Sequence, residues 1–431
     1  MKKTSFSIFH LTEEQAITLL STPTEQLEDP TDRYIAASRL VEYPSERAVE
    51  ALIQAIHQPG DDLDNRIVRR KSVETLGHLR AAQALPTIRV CLEDDDCYTV
   101  ENAVWAIGEI AGEEHAPDHV SLDETILEEI TNVLKRPGQN YRVIIQTLGK
   151  LGYKAAADRI RPWMQAEDLM VASAAIATLY RLGTDIAAMP RIVEMLQDAN
   201  VNVRRSCLQD LINTNYYSAI AQIAQCPVSM VFRLRAIQCL AVVGMQERAI
   251  TFAEDVEPYL DQVIYDHPDT VELVHEYDQT PTIEFAVNEL YETDFGRCYL
   301  ATKTLLEVYP QEAPAALLAA YEDKAHHDYG GYYHVMRLFG WLNYDPAYDL
   351  LVKALHNQES QFKKARVAGA IALGRLGKSD AIAELQSAWN TGTWELQYAI
   401  LIALDQLGGL TQSSLQSEHP LVQAKLSSLK G

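Results

Sequence analysis

Residues 65–79 read NRIVRRKSVETLGHL and residues 97–110 read CYTVENAVWAIGEI, and the register between them decides the fold. Leu76-Gly77 closes one apolar run and Ile107-Gly108 the next, with the two glycines 31 residues apart. The pair recurs as Leu148-Gly149, Phe339-Gly340 and Leu373-Gly374, the last two glycines being 34 apart. Gly108 and Gly149 are 41 residues apart, which becomes 31 once a ten-residue insertion near 115–124 is set aside. Arginines keep the beat: Arg204 and Arg235 are 31 apart, while Arg142 to Arg204 and Arg235 to Arg297 are each 62. A fixed period of this length marks stacked supersecondary units. Each such unit buries its apolar face only against its neighbours.

Inside a repeat the periodicity is helical. Val100, Ala103, Val104, Ile107 and Ala111 fall on one stripe, at the three- and four-residue spacing of an amphipathic helix. Val335, Leu338, Phe339 and Leu342 repeat the pattern, as do Val367, Ala370, Ile371 and Gly374. Thr12 with Gln15 predicts a capping box at the first helix, and Pro23 follows its end. Short turns such as Gln58-Pro59-Gly60 and Arg136-Pro137-Gly138 join helices into pairs. The expectation is an all-α chain: an α-solenoid of HEAT-like (armadillo-type) helical-pair repeats, about eleven of them, coiled into a curved superhelix. Two stretches break the rhythm. Residues 113–124 are acidic and carry His115 and His119; residues 251–294 are acidic, rich in tyrosine and spaced by Pro258, Pro268 and Pro281. The second break divides N-terminal repeats (1–250) from C-terminal repeats (251–431) within one continuous solenoid.

Composition narrows the function. A formal charge of −23 leaves no basic stripe to displace counterions from phosphates, so a nucleic-acid partner is not expected. Anionic membrane surfaces are disfavoured for the same reason. No apolar run reaches the roughly 18–20 residues of a spanning helix. Met1-Lys2-Lys3 leads into Thr-Ser-Phe-Ser with no signal-peptide core, so the expected location is the cytoplasm. Six cysteines show no Cys-x-x-Cys pair and read as small buried hydrophobes in a reducing compartment. His115 and His119 are one helical turn apart, with Glu114 and Asp118 near. They do not make the four-ligand set of a structural zinc site, so no metal is expected. Serine-nucleophile and P-loop motifs are absent.

Three constellations depart from a plain scaffold. On residues 97–111, Tyr98, Glu101, Trp105 and Glu109 share a face away from the apolar stripe, flanked by Asn102. They either pack on an adjacent repeat and face water, or form a groove wall with a flat apolar plate beside carboxylates. Just before, Arg66, Arg69, Arg70 and Lys71 put four basic residues in six. They either pair internally with Asp61, Asp62 or Glu74, or clamp a ligand's carboxylates, which guanidinium forks bind in bidentate fashion. Arg142, after Tyr141, is of the same kind. The densest anomaly is His326-His327-Asp328-Tyr329-Gly330-Gly331-Tyr332-Tyr333-His334. It is either a solvated polar turn or a group of side chains that move protons and hydrogen-bond a heterocycle.

Together the blocks 65–79, 97–110, 291–310 (YETDFGRCYLATKTLLEVYP) and 328–342 (DYGGYYHVMRLFGWL) resemble the HEAT-like, E/F-type phycobilin lyases of cyanobacteria. The likeness is greatest to the long single-chain phycoerythrobilin lyases and lyase-isomerases. It runs in order through nearly the whole chain. The resemblance implies an enzyme that binds a linear tetrapyrrole as substrate, with no separate cofactor. Such an enzyme attaches the pigment by a thioether to a cysteine of a phycoerythrin subunit, α being the expected acceptor. Some members also turn phycoerythrobilin into phycourobilin, so attachment with and without isomerisation both stay open. On this reading Arg66, Arg69, Arg70 and Arg142 hold the two propionates, and Tyr98, Trp105, Tyr332 and Tyr333 stack on rings. Glu101, Asn102 and His334 complete the binding set. Asp328 and Tyr329 form the acid–base pair, with His326 and His327 as second choices. The rival readings are a non-catalytic solenoid presenting a concave face to a protein, and a bilin carrier without turnover.

Overall fold

A computed structural model describes residues 11–60, 62–113, 117, 119–410 and 415–429. Among them every regular element is an α-helix or a 3-10 turn. The chain divides into two compact units, Met1–Met189 and Pro190–Gly431. The division falls ahead of residue 251. The acidic segment 251–294 lies within the second unit; Phe252–Asp255, Glu257–Tyr265 and Ile283–Glu289 are helical, and residues 271–282 between them are irregular. Its prolines cap helices: Pro258 opens Glu257–Tyr265 and Pro268 opens a 3-10 turn, positions where a missing N–H costs nothing.

Helices here begin on a repeated device. Asp62, Asp96, Asn140, Asp168, Asn200, Asp294 and Asp328 each precede the inner helix of a repeat and accept a backbone amide of its first turn. That satisfies donors otherwise orphaned at a helix start. Thr12 and Gln15 form the expected capping box.

In the first unit Leu63–His78 packs on Cys97–Ala111, which packs on Tyr141–Lys150, which packs on Leu169–Arg181. The stripe Val100, Ala103, Val104, Ile107 and Ala111 is wholly buried, inside a core running from Leu11 to Leu182. In the second unit Tyr329–Trp341 packs on Lys363–Leu376, and that on Trp394–Gln406. Each inner helix is named below by its first residue.

The glycine beat proves to be packing and not the closing of runs. The glycines lie within helices at their closest approach to the next repeat. A Cβ on Gly77 would stand 2.8 Å from Ala106 Cβ, and one on Gly340 2.8 Å from the Cα of Ala372. The arginines of the beat share no single role. Arg204 donates to the turn carbonyls of Asp198 and Ala199 and Arg142 to that of Met170, whereas Arg297 grips the Glu289 carboxylate. Arg233, two residues off the beat, donates to Ala224 and Val228, so that guanidinium groups satisfy carbonyls stranded at helix ends. No helix among the described residues is long and apolar enough to cross a membrane.

Candidate functional site

The first unit's candidates occupy the Leu63 and Cys97 helices. Arg70 grips Asp96 with both arms of its fork, at 2.6 Å each, and lies 4.6 Å above the Tyr98 ring. Asp96 is also the cap of the Cys97 helix and takes the Thr99 amide and hydroxyl. Burial works against its ionisation, but hydrogen bonds from Arg70 and Thr99 outweigh it and hold the carboxyl below the usual range. Arg69 pairs with Asp94 at 3.0 Å. Of the internal partners that the pairing reading offers, Glu74 takes Lys71, while Arg69 and Arg70 turn to Asp94 and Asp96; Asp61 lies outside the described residues. Arg142 donates to the Met170 carbonyl at 2.5 Å. Of the arginines read as propionate clamps, these three already have protein acceptors, and Arg66 lies on the exposed side one turn before Arg70.

Trp105 is half-buried with its edge on His78 and its ring against Gly77, which is packing on the preceding repeat. Asn102 donates to the Arg70 carbonyl, and Glu101 accepts from Asn140. Tyr98 stays 57% exposed.

In the second unit the turn before the Tyr329 helix is ordered by Asp328. Its Oδ1 accepts the amides of Gly330 at 2.9 Å and Gly331 at 2.6 Å, while Oδ2 accepts nothing from a described residue. Tyr329 follows, 50% exposed. His326 meets the Tyr321 carbonyl through Nδ1 at 2.6 Å, and its ring lies tilted against that of His327, ring centres 3.9 Å apart. Tyr332, Tyr333 and His334, expected to face a ligand, are core residues. Tyr332 packs edge-on to Phe362, and Phe295 lies against both Tyr333 and His334. Desolvation, reinforced by Arg337 and Lys364, keeps His334 neutral. The cause is helical geometry: three consecutive residues point inward because this helix is covered on nearly all sides.

That core contains a charged centre which sequence reading missed. Asp266, left-handed at φ +53° past the end of Glu257–Tyr265, is fully buried. Its carboxylate accepts from Arg233, Tyr299, Tyr333 and Arg337. Burial opposes its charge, but Arg337 and Arg233 prevail and hold the pKa down. Two guanidiniums against one carboxylate leave a surplus positive charge in the interior. Beside it sits Lys364, 7% exposed. Its ammonium lies 4.4 Å from the Phe295 ring centre, 4.3 Å from Tyr329 and 5.1 Å from Tyr333. Lys364 was legible in principle, since it stands three and seven residues before Val367 and Ile371 on an otherwise apolar stripe.

Three of the six cysteines are poor candidates for thiolate chemistry. Burial pushes Cys91, Cys226 and Cys298 up to about 12, even with Arg337 and Lys364 near Cys298. His115, with Glu114 and Asp118, lies outside the described residues, so the metal question at that loop has no geometry.

A family model described as HEAT repeats matches residues 127–212. Across 95% of each chain, the protein is 53% identical to the uncharacterized phycocyanin operon protein Y of Pseudanabaena tenuis (strain PCC 7409). It is 29% identical to the bilin biosynthesis protein CpeY of Synechococcus sp. (strain WH8020), covering 91% of this chain and 93% of that one. Identity is again 29% with the phycocyanobilin lyase subunit alpha of Nostoc sp. (strain PCC 7120), covering 59% of this chain and 91% of that one. The chain belongs to the HEAT-like phycobilin lyase family. In this member of the family, the second unit's turn joins an exposed phenol, a carboxylate oxygen with no donor among the described residues, and a caged ammonium.

Proposed function

We propose that this chain attaches phycoerythrobilin through a thioether to a cysteine of a phycoerythrin subunit, the α subunit being the acceptor. The observation that carries the reading is similarity over nine-tenths of the chain to a protein named for bilin biosynthesis. The preference for phycoerythrobilin follows the resemblance to the long single-chain lyases.

The reaction is an addition. The acceptor's thiol forms an S–C bond at the ethylidene carbon of ring A, and a proton ends on the conjugated system; nothing is oxidised or reduced. A free thiol has a pKa of about 8.5, so only a few per cent is thiolate at neutral pH. Holding sulfur and ethylidene in contact therefore supplies much of the acceleration. Tyr329, at the mouth of the turn, delivers the proton. Asp328, its Oδ1 fixed by two amides, presents Oδ2 to pyrrole N–H groups. His326 and His327 border the same turn. In the first unit, Tyr98 offers an exposed ring fixed by Arg70. Isomerisation to phycourobilin would use the Tyr329 turn twice, once to take a proton from ring A and once to return it at the bridging carbon.

The test is co-production with a bilin supply and the phycoerythrin α subunit, followed by denaturation of that subunit. Denaturation-stable phycoerythrobilin absorption is expected; phycourobilin absorption would add isomerisation. A colourless subunit, with working controls, would favour the scaffold reading. Tyr329→Phe should slow colouring by about a hundredfold, the scale of a lost general acid. An unchanged rate would remove Tyr329 from the chemistry.

A further inference from the structure

Lys364 has an electrostatic debt that the protein leaves open. An ammonium carries three donors and no acceptor, and burying it unpaired is costly. Among the described residues no carboxylate lies within ion-pair distance of Lys364, and no oxygen accepts from it. Its surroundings are the rings of Phe295, Tyr333 and Tyr329. Ring faces attract a cation by roughly 0.5–2 kcal/mol each, but they supply no lone pair. The fixed charges around it do not resolve the imbalance: Asp328 attracts Lys364 but stands beyond ion-pair distance, and Asp266 is already shared by Arg233 and Arg337.

The cage also has one wall that can move. Phe295 and Tyr333 are buried, whereas Tyr329 is half exposed and is the outermost ring over the ammonium. Exposed side chains change rotamer within nanoseconds. Swinging Tyr329 aside opens Lys364 towards the Asp328 turn. By contrast, the first unit's Arg69, Arg70 and Arg142 already hold protein oxygens.

We propose that Lys364 is a carboxylate anchor of the second unit, pairing with a propionate of the bound bilin after Tyr329 swings outward. The inference rests on the bilin reading above and adds to it the residue that recognises the acid side chain. The propionate supplies the missing acceptor and brings a counter-charge into contact, where Asp328 and Asp266 act only from a distance. Burial makes that pair stronger than the same contact in water.

A carboxylate of the acceptor protein has the same chemistry, so the experiment separates the two sources. Phycoerythrobilin and its dimethyl ester, which lacks both acidic groups, are titrated into the full-length chain and followed by absorption. The wild type should bind the free acid about tenfold more tightly than the ester. Lys364→Met should bind both forms equally, at the wild type's affinity for the ester. Lys364→Arg, which keeps the charge, should retain most of the acid preference and serves as a second variant if the methionine protein misfolds. Acid preference undiminished in Lys364→Met overturns the anchor. So does Lys364→Arg binding acid and ester alike, or a loss of attachment in Lys364→Met with its acid preference intact, which would assign the ammonium to the acceptor. If the wild type binds neither pigment form, the bilin reading itself falls, and the anchor with it.

Discussion

At Lys364 the aromatic cage replaces water without replacing its lone pairs, so the folded state holds the proton less well than the unfolded chain does. Desolvation lowers the pKa from 10.5 to about 8, although Cys298, Asp328 and Asp266 favour the charge; Arg337 opposes it. The Tyr333 phenol on the same cage is raised by burial and stays neutral. Between pH 8 and 10.5 the unfolded chain binds more protons, so stability rises with pH across that window, and below pH 8 the penalty is complete. Lys364→Met removes the titrating group at nearly constant length. The variant should be more stable than wild type by about 3 kcal/mol at pH 7, at 1.36 kcal/mol per unit. That gain should mostly vanish by pH 10. Denaturant melts at both pH values test this; an equally large advantage at pH 10 would show that packing is responsible. The residue scale is also where sequence reading was least complete. Asp328 stood out in the sequence, but its cap bonds to Gly330 and Gly331 follow from a register shared with Asp294 and Asp96. Asp266 gave no warning, because its partners come from positions 233, 299, 333 and 337. No local pattern encodes a meeting of that kind.

Elements were far more legible, since a stripe repeated every few residues is a local property and a repeat copies it. Leu76-Gly77 and its copies located the inner helices correctly, but the glycines' purpose lies in the next repeat, where periodicity is silent. Their substitution costs should therefore differ with what each one meets. At Gly340 an added Cβ would strike the Cα and Cβ of Ala372, at 2.8 and 2.6 Å. Only a shift of the Lys363 helix relieves that. At Gly108 the obstacle is the Thr147 side chain, whose methyl lies 2.9 Å away and can turn aside. Overpacking costs about 1–3 kcal/mol, while alanine in place of glycine returns about 0.5–1 kcal/mol within a helix. Gly340→Ala should lose about 2 kcal/mol in chemical denaturation, and Gly108→Ala less than about 1 kcal/mol. The reverse order would mean that these close approaches do not set the helix spacing.

For the molecule as a whole the governing quantity is charge. Sixty acidic side chains face 37 basic ones, so 23 carboxylates have no counterpart even if every lysine and arginine is paired. Several cations are spent inside, among them Arg204, Arg233, Arg337 and Lys364, which leaves the surface more acidic than the total implies. Exposed pairs such as Arg89–Glu129 and Arg159–Glu128 contribute between 0 and about 1 kcal/mol each. Self-repulsion of the surplus acts against the compact state, and salt screens it over about 8 Å at 0.15 M. Screening weakens attraction and repulsion together, so the sign of the salt effect reports which is larger. With the excess this one-sided, repulsion should dominate. The melting temperature should climb by roughly 1–2 °C, about 1–2 kcal/mol for a chain of this size, as sodium chloride rises from about 0.01 to 0.15 M. Potassium chloride should act alike, since screening depends on ionic strength and not on the cation. A melting temperature that falls over the same range would show that the surface pairs outweigh the uncompensated carboxylates.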